Sequence, residues 1–152
     1  RFRQQANLEY ITSDLYSPLA DVKADICALP FEDEQFDVIL CNHVLEHIPD
    51  DTQAMRELYR VLKKGGWGIF QVPQEIERAE TFADDSITDP KERARIFGQY
   101  DHVRIYGMDY FDKLRSIGFS VLPLPCTEVA TDEEIEKYRL VKNEILPICS
   151  KQ

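Results

Sequence analysis

The stretch Phe36-Asp37-Val38-Ile39-Leu40-Cys41-Asn42-His43-Val44-Leu45-Glu46-His47-Ile48 decides the fold. Its first half, Val38 to Cys41, is an unbroken apolar run, the pattern of a strand covered on both faces in a parallel sheet. Its second half turns polar at Asn42-His43 and leads toward a helix. In open α/β sheets, ligands bind in the crevice outside the carboxyl ends of the strands. Asn42 and His43 occupy that kind of position.

Downstream, Asp50 is an N-cap with Gln53 three residues on, a capping-box arrangement. Ala54, Met55, Leu58, Val61 and Leu62 recur at helical spacing and make one apolar stripe. Lys63-Lys64 put positive charge in the last turn, and Gly65-Gly66 supply the stop. Trp67 to Val72 then reads as a strand closed by Pro73, which completes a strand–helix–strand unit. Upstream, Leu8–Asp14 and Val22–Ile26 read as two strands, each with an acid near its end. The connection between them, 15–21, contains Pro18 and is too short for a full helix.

Beyond Pro73 the pattern weakens. A short helix is predicted where Asp89 caps, Pro90 takes the first turn and Gly98 ends it. Residues 99–106, polar and aromatic together, read as a loop. A helix follows over Asp109–Ile117, with Tyr110, Phe111 and Leu114 inward and Gly118 at its end. Phe119–Leu124 reads as a strand, Glu133–Tyr138 as a helix and Glu144–Ser150 as a last strand. Pro147 predicts an edge or a bulge there.

The 152 residues suit one domain with a real core. A net charge of −10 argues against nucleic acid, whose binding rests on Lys and Arg neutralising phosphates, and against an anionic membrane surface. No apolar run approaches the roughly 18 residues of a membrane span, and the first residues lack the pattern of a signal peptide. The four cysteines, Cys27, Cys41, Cys126 and Cys149, form no C-x-x-C pair. They read as reduced, mostly buried thiols of a cytoplasmic protein, and no metal site is expected from them.

The run Asp25-Ile26-Cys27-Ala28-Leu29-Pro30-Phe31, then Phe36-Asp37-Val38-Ile39, His43 to Ile48, and Glu57 to Gly66 resembles the class I S-adenosylmethionine-dependent methyltransferases. It is most similar to the small-molecule branch typified by the ubiquinone and menaquinone biosynthesis enzymes, and Tyr106-Gly107, Leu114 and Gly118-Phe119 fit the same branch. The resemblance implies a Rossmann-like α/β sheet, mostly parallel with an antiparallel last strand, and S-adenosylmethionine as cofactor. It implies that Asp14 holds the ribose hydroxyls and Asp25 the adenine amino group, with the Ile26 backbone addressing the ring. Asn42 and His43 fall near the methionine moiety and the transferred methyl group. Where the acceptor needs a base, His43 leads and His102 is second.

The family's first strand and its Gly-rich loop should precede the Asp14 strand. Here only seven residues precede Leu8, and all six glycines lie at 65 or later. The expectation is therefore an N-terminally truncated domain whose first strand and helix are missing. Its parts are a cofactor-side core (8–72), a lid or substrate segment (73–107) and a C-terminal helix and strand pair (108–152). The missing strand is the middle of the family sheet, so two strand edges face an empty slot that invites pairing with a second copy. A non-catalytic remnant acting as an interaction domain is the alternative. His43-Val44-Leu45-Glu46-His47 also matches the H-x-x-E-H zinc-peptidase pattern. That reading requires one continuous helix, which the preceding strand and Pro49 disfavour.

Overall fold

A computed structural model describes residues 2–152. In chain order the strands and α-helices are β1 (Ser13–Asp14), β2 (Val22–Lys23), β3 (Phe36–Leu40), α1 (Asp51–Val61), β4 (Leu62–Ile69), β5 (Phe82–Ala83), α2 (Pro90–Phe97), β6 (Arg104–Ile105), α3 (Tyr110–Ile117), β7 (Ser120–Pro125), α4 (Cys126–Val129), α5 (Asp132–Tyr138) and β8 (Ile145–Ser150). A 3-10 turn at Leu45–His47 lies between β3 and α1.

The main sheet has the order β3-β4-β8-β7. β3 and β4 are parallel and joined through α1, the expected strand–helix–strand unit. β8 runs antiparallel to both β4 and β7. β1 and β2 form a separate parallel pair, and among the described residues β3 has no partner on its other side. The α/β class and the antiparallel last strand are as the sequence indicates.

Several boundaries differ from expectation. The strand expected over Leu8–Asp14 is only two residues long, and Leu8 and Tyr10 are exposed. The Val22–Ile26 strand likewise stops at Lys23, because Asp25 and Ala28 form a tight turn. β3 is not covered on both faces, since Val38 is 43% and Leu40 46% exposed. An unpaired edge leaves those side chains with nothing to pack under.

α1 starts where its cap predicts: Asp50 Oδ1 accepts the Gln53 N–H at 3.0 Å. It ends earlier, at Val61, and Leu62 is already extended. Lys63 to Gly66 therefore belong to a bulged strand rather than a helix end. Between Phe36↔Leu62 and Val38↔Trp67 the register advances two residues on β3 and five on β4, with Gly65 at φ +77° inside the bulge. Gly68 is needed for packing. A Cβ there would lie 2.7 Å from the Ile39 carbonyl oxygen and 2.6 Å from the Phe70 ring.

β8 is interior, not the expected edge. Pro147 faces Pro123 of β7, and two residues without N–H groups fit an antiparallel ladder where neither needs to donate to the other. α2 and α3 match expectation: Asp89 accepts the N–H groups of Lys91 and Glu92, and Gly98 and Gly118 take positive φ after the helices.

The core lies between α1, α3 and the sheet. Leu45, Met55, Leu58, Leu62, Phe70, Tyr106, Tyr110 and Leu114 are its main buried side chains. All four thiols are free, and Cys41, Cys126 and Cys149 are buried. Burial pushes the Cys41 thiol up to about 12, helped by nearby Glu46, and burial alone does the same for Cys149. Since the thiolate is the nucleophile, native protein should give one slowly labelled thiol, Cys27, against an aromatic disulfide reagent. Four should react after denaturation, and rapid native labelling of Cys41 or Cys149 would contradict the packing.

Candidate active site

The ladder between β3 and β4 runs past the last assigned residue of β3: Cys41 N–H donates to Ile69 O and His43 N–H to Gln71 O at 2.8 Å. His43 then adopts φ +55°, the left-handed region, and the chain leaves the sheet. This turns Asn42 and His43 out to solvent at the carboxyl end of the strand, the placement expected for them. His43 Nδ1 lies 3.5 Å from Glu46 Oε1.

The reversal at His43 and the 3-10 geometry of Leu45–His47 break the continuous helix that the H-x-x-E-H peptidase reading requires. His47 Nδ1 faces Asp101 Oδ2 at 3.3 Å, and its ring meets His102 edge-on with centroids 4.7 Å apart. His102 is buried, with Nδ1 3.1 Å from the Phe97 carbonyl oxygen, so that nitrogen carries the proton. The structure thus brings His43 and His102, the two candidate bases, into one cluster through Glu46 and His47.

Asp14 and Asp25 lie on the β1–β2 side. Asp14 ends β1, and its Oδ1 accepts the N–H groups of Tyr16 at 2.7 Å and Ser17 at 2.6 Å. The Ser17 bond first, then the Tyr16 bond, holds this carboxyl below its ordinary range. Asp25 Oδ1 accepts the Cys27 N–H at 2.8 Å. Each aspartate is therefore fixed through one oxygen and keeps the other free. The turn after Asp25 is tied to α1, since Gln53 donates to Cys27 O at 3.2 Å and Leu29 N–H to Glu57 at 2.9 Å. Ile26 packs against the core.

A cavity of about 340 Å³ opens where β4 ends. Pro73, Gln74 and Glu75 form one side, the end of α2 another, and His102 and Arg104 line it as well. The segment carrying His102 is anchored by a buried polar cluster that sequence reasoning missed. Arg104 pairs with Asp51, and its guanidinium also donates to Ile48 O at 2.8 Å and Pro49 O at 2.7 Å. Lys113 Nζ donates to Asp51 at 2.6 Å and the Tyr106 hydroxyl does so at 2.7 Å. Burial alone would raise the Asp51 carboxyl. The hydrogen bonds from Arg104, Lys113 and Tyr106 outweigh it and hold the group below the carboxylate range. The one sign of it in the sequence is an acid, Asp51, in the first turn of α1, next to the Asp50 cap.

Residues 2–70 match the family model described as a methyltransferase domain. That match covers less than half of the chain, and over the rest the likeness to methyltransferases is one of fold. Over 50 residues it is 40% identical to the ubiquinone biosynthesis O-methyltransferase of Pseudomonas savastanoi pv. phaseolicola, a match covering 33% of this chain and 22% of that protein. Over 37 residues it is 51% identical to the corresponding protein of Pseudomonas putida strain W619, covering 24% and 16% respectively. The matches thus span about a fifth of those relatives' length. Among solved structures, the methyltransferase fold recurs in Burkholderia thailandensis 1,6-didemethyltoxoflavin-N1-methyltransferase, with a TM-score of 0.59, 14% identity and coverage of 92% of this chain and 60% of that one. That protein was solved with 1,6-didemethyltoxoflavin and S-adenosylhomocysteine bound. A Bacillus halodurans C-125 structure described as a methyltransferase gives 0.54 at 20% identity, covering 91% and 76%.

Proposed function

We propose that this chain serves S-adenosylmethionine-dependent methyl transfer to a small-molecule acceptor. The observation that carries the reading is the pair of acids after β1 and β2. Asp14 and Asp25 are each pinned through one oxygen by backbone N–H groups, with the second oxygen free to accept from a ligand. An ionised carboxylate fixed in this way suits a ribose diol, and a second suits an exocyclic amine. The residues fit the nucleoside of the cofactor. When bound, the sulfonium supplies an activated methyl group.

Little else is asked of side chains beyond placing the acceptor in line and excluding water. Asn42 and His43, at the end of β3, face the methionine side. His43 takes the proton from an oxygen or nitrogen acceptor, and His102 is the second base. His102 keeps a lone pair on Nε2 because its Nδ1–H faces Phe97 O. The cavity beside His102 and Arg104 receives the acceptor, which assigns substrate contact to the 73–107 segment. On this reading residues 8–72 form the cofactor side, and 108–152 complete the sheet in a cytoplasmic enzyme. Among the described residues no helix is long and apolar enough to cross a membrane. The open edge of β3 serves pairing with a second copy, detectable as a concentration-dependent dimer in sedimentation.

Calorimetric titration with S-adenosylmethionine and S-adenosylhomocysteine tests the reading. Saturable binding is expected, weakened at least about tenfold in Asp25→Ala, the loss of one charge-assisted hydrogen bond. A folded chain that binds neither compound would overturn it.

A further inference from the structure

We propose that Glu46, His47 and His102 form a binding site for a divalent transition-metal ion of the zinc class. One donor atom from each of the three lies within 4.8 Å of the others. The two histidines and the carboxylate come from segments more than fifty residues apart, the 3-10 turn after β3 and the loop before β6. The chain folds to bring them together: Val103 N–H donates to Glu46 O at 3.0 Å, which seats the second segment on the first.

Glu46 is the reason to expect a cation. It is 2% exposed, and its Oε2 is buried without any hydrogen-bond partner. Its Oε1 is 3.5 Å from His43 Nδ1 and 3.9 Å from His47 Nε2, too far for hydrogen bonds to neutral rings. No lysine or arginine pairs with it among the described residues. A buried carboxylate without hydrogen bonds is costly, and in proteins such charges are paired or coordinate metals.

The rings are prepared for that role. A metal-bound histidine usually donates its other N–H to a backbone carbonyl or a carboxylate, which fixes the tautomer and raises the basicity of the ligating nitrogen. His102 does the first through Phe97 O. His47 Nδ1 faces Asp101 Oδ2 at 3.3 Å, an electrostatic contact outside hydrogen-bond geometry that leaves Nε2 toward Glu46. Two imidazoles and one carboxylate make a zinc-type donor set with a fourth position open. Tetrahedral ligands at about 2.0–2.1 Å stand roughly 3.3 Å apart, so the cluster contracts by up to about 1.5 Å on binding. The partly exposed His47 ring can supply that movement. His102 also borders the cavity after β4, which gives an ion a way in.

The test is titration of chelator-stripped full chain with Co2+, followed by displacement with Zn2+. One equivalent of Co2+ should bind with the visible bands of a four-coordinate centre and without a thiolate charge-transfer band. Glu46→Gln and His102→Ala should each weaken binding more than about 100-fold, and Asp101→Asn about tenfold. Should either ligand variant fail to fold by circular dichroism, His47→Gln keeps the test decisive, because its side chain is partly exposed. It must lose most of the rise in melting temperature that Zn2+ gives the native chain. No saturable binding, a thiolate band, or affinity that survives the ligand substitutions would overturn the site. With an ion bound, His102 Nε2 is a ligand and His43 alone is the base; none of these readouts depends on S-adenosylmethionine, so the two proposals fail separately.

Discussion

Asp51→Ala is expected to lower the folding free energy by about 3–5 kcal/mol, the cost of breaking a buried ion pair from one side. The carboxylate is buried, and three groups converge on it: the Arg104 guanidinium, the Lys113 ammonium and the Tyr106 hydroxyl. Removing it leaves Arg104, itself 6% exposed, as an uncompensated buried charge. Lys113 is partly exposed and can turn to water, so Lys113→Ala should cost far less, about 1 kcal/mol. Urea denaturation of both variants gives the comparison. A loss below about 1 kcal/mol for Asp51→Ala would show that the cluster is not a stabilising unit. The pH dependence has a fixed sign. Asp51 has a depressed carboxyl in the folded state, so its contribution is fully present above the unfolded value near 3.8. It is lost as pH falls through the lower folded value. Stability should be nearly flat from pH 7 to 5 as far as this group is concerned, then fall, and Asp51→Asn should remove that component of the acid slope.

Phe70→Ala should cost a similar amount, about 3–5 kcal/mol, through a different mechanism. Phe70 is fully buried and meets Phe119 edge-on at 5.2 Å, and Phe119 meets Tyr59 in the same way at 5.0 Å. Its carbonyl accepts the Tyr110 hydroxyl at 2.6 Å, which anchors α3 to the end of β4. Truncating the ring opens a cavity at the point where three elements meet, and close packing on all sides limits collapse. Leu122→Ala is the matched control. That side chain is 58% exposed on β7 and should change stability by no more than about 0.5 kcal/mol. Equal losses for the two variants in urea would contradict the assigned core.

What the sequence revealed follows the range of the forces involved. The start of α1 was legible because Asp50 and Gln53 act within one turn. The same holds for Asp89, Pro90 and Gly98 around α2, and for the inward trio of α3. The end of α1 was misjudged because glycine serves both as a helix stop and in a strand bulge. Only the pairing of β4 with β3 selects the bulge. Pro147 was misplaced for a related reason, since its tolerance depends on facing Pro123, which local sequence does not reveal. The apolar run of β3 carried no information about whether neighbours exist to cover it. At the site, strand-end positions marked Asn42 and His43. His102 was noted for its neighbours, but its junction with Glu46 and His47 depends on the Asp51–Arg104 anchor, which joins residues 53 apart.

The place of β8 in the sheet has a bearing on how the chain is made. This strand lies between β4 and β7, yet its pairing joins Trp67 to Ser150 and Ile69 to Ile148. A ribosome releases residues 145–150 only after everything they must join, so β4 waits beside an unfilled neighbour while the rest is synthesised. The β3–α1–β4 unit can form early from local contacts, whereas closing the sheet is a late, long-range step. During synthesis the nascent chain therefore carries two bare strand edges at once, and chaperone demand should be greatest just before residues 145–150 emerge.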